Sequence, residues 1–150
     1  MSRDALDAGA HWLATAYHST WAVWDDWKRG AHALLPTGTA WDVIAMPQRR
    51  LTGAAEHRRE AWTGVPVLAD LGANYAYVWV PVGTHTTWVV PGTTALGSPW
   101  WIAVPRPGGP QVPERRWVQP PGRSPRLMDP EPLRHALLAA PAADTGESSA

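Results

Sequence analysis

The sequence predicts an α/β chain of the α+β kind, a single small mixed sheet with helices packed on it. Three observations carry this. Apolar residues recur at helical spacing near both ends of the chain and once in the middle, whereas the stretches between read as short strands punctuated by Pro and Gly. The 150 residues are 45% hydrophobic, which supplies one core and not comfortably two. Cysteine is absent, so the fold owes nothing to disulfides, and thiolate metal sites and cysteine nucleophiles are excluded with them. The expected layout is one domain over 1–140 and a disordered tail of small, polar residues over 141–150.

In chain order, Ser2 is placed to cap a helix over about 4–17, where Leu6, Ala10, Leu13 and Tyr17 recur at helical spacing. Trp21, Trp24 and Trp27 predict a second short helix that ends at Gly30. Leu34 to Gly38 is a buried step into a turn, and Trp41 to Met46 a central strand closed by Pro47. Gln48–Trp62 reads as one amphipathic helix, with Leu51, Ala55, Arg58 or Arg59, and Trp62 near one stripe and Arg49, Arg50, Glu56 and Glu60 solvating the other face. A strand–helix–strand unit of this kind favours neighbouring strands with the helix on their face. Val65–Asp70 and Tyr75–Pro81 are the arms of a hairpin turned by Leu71–Asn74. Along the second arm Tyr75, Tyr77 and Trp79 share one face and Ala76, Val78 and Val80 the other. Thr84–Trp88 suits a single helical turn, and Trp100–Val104 and Arg116–Val118 are short strands parted by the Pro/Gly-rich loop 105–114. Asp129-Pro130-Glu131 starts a helix that runs to about Ala140. Trp41, Ile44, Val67, Tyr77, Val78 and Trp79 are the expected core.

Charge is balanced at 13 basic against 13 acidic residues, so no whole-molecule attraction to nucleic acid or an acidic membrane is expected. No apolar run reaches the roughly 20 residues of a membrane span. Met1–Asp7 lacks the basic and apolar regions of a signal peptide, so the expected address is the cytoplasm, with no membrane partner. There are 11 tryptophans and no phenylalanine, so the bulky aromatic role in the core falls to Trp, with a base-stacking surface as the sharper alternative.

The standard catalytic templates find nothing to fit. The six histidines (11, 18, 32, 57, 85, 135) are scattered, none paired at a metal-ligand spacing. Asp25 and Asp26 are adjacent, which on a helix points them about 100° apart. Asp42 and Asp70 lie on or at the ends of strands, and a turn-capping role accounts for Asp70. Ser19 and Ser98 lack a nucleophile elbow, and no glycine pair opens a phosphate-cradling helix. No catalytic residue, metal site or cofactor is expected.

Between residues 20 and 121 the order of motifs is Trp24–Gly30, Ala31–Gly38, Trp41–Pro47, a helix, Val65–Asp70, Tyr75–Pro81, Trp101–Pro105 and Arg116–Pro121. This resembles the second half of the bifunctional primase–polymerase domain, in its short, degenerate versions. The resemblance implies a primase–polymerase-like half domain, linked to DNA replication or mobile elements. It also implies where activity would reside. Active members carry two acids at the end of the first strand, positions that here fall on Ala45 and Pro47. The family's histidine falls on Tyr75, and its further carboxylate falls within Thr94–Gly97. A methyl group and a pyrrolidine ring cannot replace oxygen ligands for Mg²⁺. The expected function is therefore a non-catalytic binding or interaction module. A regulatory or structural protein unrelated to nucleic acid and an active nucleotidyltransferase with relocated acids are the alternatives.

If a partner is nucleic acid, the feature suited to it lies at 106–126, where five arginines face only Glu114. Arg115, Arg116, Arg123 and Arg126 with Trp117 form the candidate site: guanidinium forks for phosphate and an indole for a base. The alternative is a solvated loop with Trp117 buried.

Overall fold

The computed structural model describes residues 1–139 apart from 58, 111 and 113, so the tail expected over 141–150 lies outside the described residues. The first helix begins as its cap suggests: Ser2 Oγ accepts the Ala5 N–H at 3.1 Å ahead of α1 (Arg3–Ala14). Then come α2 (Thr20–Lys28), β1 (Ala33–Pro36), β2 (Trp41–Pro47), α3 (Gln48–His57), β3 (Val67–Asp70) and β4 (Tyr75–Pro81). The chain continues through β5 (Thr94–Leu96), β6 (Trp101–Val104), β7 (Arg115–Gln119) and α4 (Pro130–Ala139). One-turn 3-10 helices occupy Arg59–Trp62 and Thr84–Thr86.

The α+β class holds. Its sheet, expected as single and mixed, comes as two: a five-stranded sheet ordered β5-β2-β4-β3-β7 and a separate β1-β6 ribbon. Every pairing is antiparallel. The β2–α3–β3 crossover does not leave its two strands as neighbours, because β4 is inserted between them. The reason is local. Asp70 Oδ1 accepts the Ala73 N–H at 3.1 Å and Asn74 takes a φ of 61°, so β3 folds straight back into β4. β4 then pairs along the whole of β2, from Trp41↔Pro81 to Pro47↔Tyr75.

The helix expected over Gln48–Trp62 breaks after His57 into the 3-10 turn. The segment after the break is held from outside: Ala61 O and Thr63 O accept from the Arg126 side chain, and Trp62 O and Val65 O from Gln119 Nε2. Arg50, expected on the solvated face, is buried instead. It donates to Pro91 O at 3.0 Å and Leu137 O at 3.3 Å, tying α3 to α4 and to the 88–93 loop.

Both faces of the large sheet are covered. On one, Ile44, Met46, Ala76, Val78 and Val80 pack against α3, Trp62 and α4. On the other, Trp41, Val43, Leu68 and Trp79 pack against α1, α2 and the inner face of the ribbon. A ladder of indoles crosses this second face, with centroids 6.5 Å apart for Trp12–Trp41, 5.2 Å for Trp41–Trp79 and 5.3 Å for Trp79–Trp117. Gly9 lets the Pro120–Gly122 segment cross α1, since a Cβ there would lie 1.8 Å from Pro121 O. Among the described residues no helix is long and apolar enough to cross a membrane.

Candidate functional site

The surface beside Ala45 is where the resemblance would place metal-binding acids. Across the sheet Ala45 pairs with Tyr77 on one side and Thr94 on the other, and Pro47 pairs with Tyr75. Two carboxylates are near enough in sequence to matter, and both are committed elsewhere. Asp70 caps the hairpin turn and takes Arg115 Nη2 on Oδ2 at 3.2 Å. Asp42 is an odd number of residues from Ala45, so it leaves the opposite face of β2, and its Oδ2 accepts from the 83–85 turn. Among the described residues no group of three or more His, Asp or Glu is placed to share a metal ion. What lies beside Ala45 is Tyr77, with the Arg115 guanidinium carbon 5.2 Å from its ring centroid. Burial pushes the Tyr77 hydroxyl above its ordinary range, and the Arg115 cation partly offsets this.

The arginine strip is divided by the fold. Strand alternation along β7 sends Arg115 and Trp117 inward and Arg116 and Val118 outward. Arg115 is a bracket: besides Asp70 it donates to Ala103 O at 2.8 Å, joining β7 to the ribbon. Trp117 is half-buried, its Nε1 donating to Pro105 O at 2.9 Å and its ring against Trp79, so it is committed to the core rather than held out as a stacking platform. Arg126 is spent on the carbonyls of residues 61 and 63. Arg123 stands apart, its nearest acid Asp4 at 3.9 Å on the exposed start of α1.

Two residues of the candidate site meet Arg106, which the strip held but the candidate site did not, and Arg3, which lay outside both. The loop after β6 folds down on Leu6 of α1 and leaves a cleft of about 240 Å³ lined by Arg106, Arg115, Arg116 and Trp117. It opens into a second cleft of about 440 Å³, with which it shares Leu6, Arg106 and the glycines 108 and 109, and which adds Arg3 and Asp7. The result is a groove between α1 and the 105–110 loop lined by four arginines, of which Arg115 is engaged with Asp70 and Ala103 O. The one acid among the described lining residues, Asp7, lies 3.8 Å from Arg106, a long, exposed pairing that leaves the guanidinium free to take a better anion. Arg116 makes no ion pair with any described residue. Arg3 was beyond the strip's logic because α1 and the 105–110 loop are about a hundred residues apart in sequence, whereas Arg106 was counted in the strip but not in the candidate site.

A second polar site was not visible in the histidine spacings. Asp42 is 0% exposed, and its Oδ2 is 2.8 Å from His85 Nδ1. The available signal was the aspartate inside the apolar run Trp41–Met46, since a carboxylate buried there must find donors.

Fold and groove together define a small α+β protein with a tryptophan-lined core and a cationic groove on one side. Comparison of the chain with family models, with characterised proteins and with solved structures finds no match in any of the three.

Proposed function

We propose that the chain is a binding module, of primase–polymerase-like architecture and without nucleotidyl-transfer chemistry, whose groove takes the phosphate backbone of a single nucleic-acid strand. The observation that carries this is the placing of Arg3, Arg106 and Arg116 along two adjoining clefts whose one acid among the described lining residues, Asp7, is loosely held. Guanidinium forks suit phosphate oxygens, and a groove concentrates their field although the whole chain is neutral. Recognition is through phosphate, because Trp117 is engaged on its Nε1 and on its ring. The absence of polymerising chemistry is supported by Tyr77 and Thr94 flanking Ala45, where hard-cation ligands would be needed. A regulatory or structural role unrelated to nucleic acid is favoured by one observation, the use of Arg115 and Arg126 as internal brackets.

The test is binding of a fluorescent single-stranded oligonucleotide at two salt concentrations, for wild type and for Arg106→Ala/Arg116→Ala. Arg115 is left in place because it holds the fold. Wild type is expected to bind more tightly at low salt. Its log–log salt slope should be steeper than the variant's by about 0.7 for each phosphate contact removed. Equal affinities at low salt would reject the groove and leave the structural reading.

A further inference from the structure

Away from the groove, one histidine is held in a way that turn capping does not require. We propose that His85 is a reactive imidazole, an acylation site at Nε2 with Asp42 as its positioning residue. Asp42 Oδ2 accepts three hydrogen bonds: from the Gly83 N–H at 3.1 Å, from the His85 N–H at 2.9 Å and from His85 Nδ1 at 2.8 Å. The two backbone N–H groups alone would anchor the turn. The third contact concerns only the imidazole. An oxygen already accepting two N–H bonds needs a donor at 2.8 Å, so the proton sits on Nδ1 and the lone pair of the neutral ring on Nε2.

The ring is also fixed in place. It lies flat against Gly97, where a Cβ would come within 2.2 Å of Nδ1 and 2.6 Å of Cε1. Beneath it the turn is tied by Thr84 Oγ1 to Pro81 O and by Thr86 Oγ1 to Gly83 O. The side chain remains 35% exposed while Asp42 is 0% exposed. With Nδ1 directed inward, the edge left to solvent is the one bearing Nε2. Asp42 Oδ1 has no partner among the described residues, so Oδ2 alone ties the side chain to the ring. A carboxylate in that place would favour the cationic ring formed on attack.

The reaction is acyl transfer from an activated donor, an anhydride or an aryl ester. The Nε2 lone pair forms a bond to the acyl carbon while the carbon–oxygen bond to the leaving group breaks, and the leaving oxyanion departs with that pair. The N-acyl imidazolium keeps its Nδ1–H on Asp42. Water then adds to the acyl carbon, the carboxylic acid leaves with restored Nε2 behind it, and one proton passes to solvent. The site is independent of the groove and of nucleic-acid binding.

The experiment treats the full chain with limiting diethyl pyrocarbonate at neutral pH and follows each histidine-containing peptide by mass spectrometry. His85 is expected to be ethoxyformylated fastest, ahead of the exposed His18 and His135. In Asp42→Asn its rate should fall by about tenfold, on the scale of the loss when the carboxylate partner of a metal-ligating histidine is removed. A melting curve shows whether that variant stays folded. His85→Gln, which leaves both backbone bonds to Asp42 in place, should lose the fast phase and keep the slow ones. If His85 in the wild-type chain reacts no faster than His135, the imidazole is an ordinary surface group and the proposal fails, whatever the variants do.

Discussion

The two faces of the five-stranded sheet are built from different materials. The face under α3 and α4 is almost wholly aliphatic, with Ile44, Val78, Val80, Leu133 and Leu137 buried there, and Trp62 and Trp88 the only indoles that join it. On the opposite face Trp12, Trp24, Trp27, Trp41, Trp79 and Trp117 meet. Aliphatic side chains leave no polar atom to satisfy, so regular helices can lie on them. Each buried indole brings an N–H that needs an acceptor, and a helix has no interior carbonyls to spare. The tryptophan face is accordingly closed partly by irregular chain and ribbon edge: Val104 O takes Trp27 Nε1 at 3.1 Å and Pro105 O takes that of Trp117. Where the sheet centre offers no such edge, Trp41 and Trp79 bury Nε1 without a partner among the described residues. The same irregular coverage creates the groove, since the 105–110 loop that reaches over the indoles also lies against α1.

The largest effect expected from this contrast is at the middle of the ladder. Trp79→Ala should destabilise by ~3–5 kcal/mol through its cavity, against ~0.5–1.5 kcal/mol for Ile44→Val on the aliphatic face. A chain with ~5–15 kcal/mol in total would approach unfolding in the first case and not in the second. Chemical denaturation of both variants checks this, and similar midpoints would mean that the two faces do not differ in weight.

A smaller effect separates bonded from unbonded indoles. Trp117→Phe leaves Pro105 O without its donor and should cost ~1–3 kcal/mol. Trp79→Phe removes an N–H that has no partner, so its loss of volume is offset and the net change should stay below ~1.5 kcal/mol. The order of the two melting temperatures is the readout, with Trp117→Phe expected to melt lower although Trp79 is the more buried ring.

The smallest effect is electrostatic and sits just ahead of β1. Burial of His32, with the Arg115 cation adding to it, holds its imidazole below the ordinary range. A histidine depressed in the folded state binds its proton more readily when unfolded. Its contribution is therefore present above the unfolded value of about 6.5 and is lost as pH falls below it. Thermal melts at pH 7.5 and pH 5 should differ more for wild type than for His32→Gln; equal differences would place the acid sensitivity elsewhere.

Much of the element order was legible because it depends on neighbours in sequence. Ser2 caps its helix, Asn74 turns the hairpin, and the alternation in Tyr75–Pro81 assigns Trp79 and Val78 to opposite cores. The short strand β5 was missed because Thr94–Leu96 is three residues without alternation, held as a strand by β2. Arg50 was misplaced because a charged residue on an amphipathic helix reads as solvated, whereas α4 and the 88–93 loop bring it two carbonyls. The arginine strip was half legible. Its charge could be counted, but which guanidinium groups would be spent on Asp70, Ala103, Ala61 and Thr63 could not.

The amino-acid sequence alone determined the α+β class, the longer helices and strands in their order, and the role of tryptophan as the main aromatic of the core. These follow from spacing, caps and turn residues, which act within a few positions along the chain. Tertiary structure decided that β4 lies between β2 and β3, that Arg3 and Arg106 share a groove with Arg116, and that His85 meets Asp42 across 43 residues. Each of these is settled by where a buried polar group or a pairing edge finds its partner, and that choice is made in space between segments that carry no mark of one another in sequence.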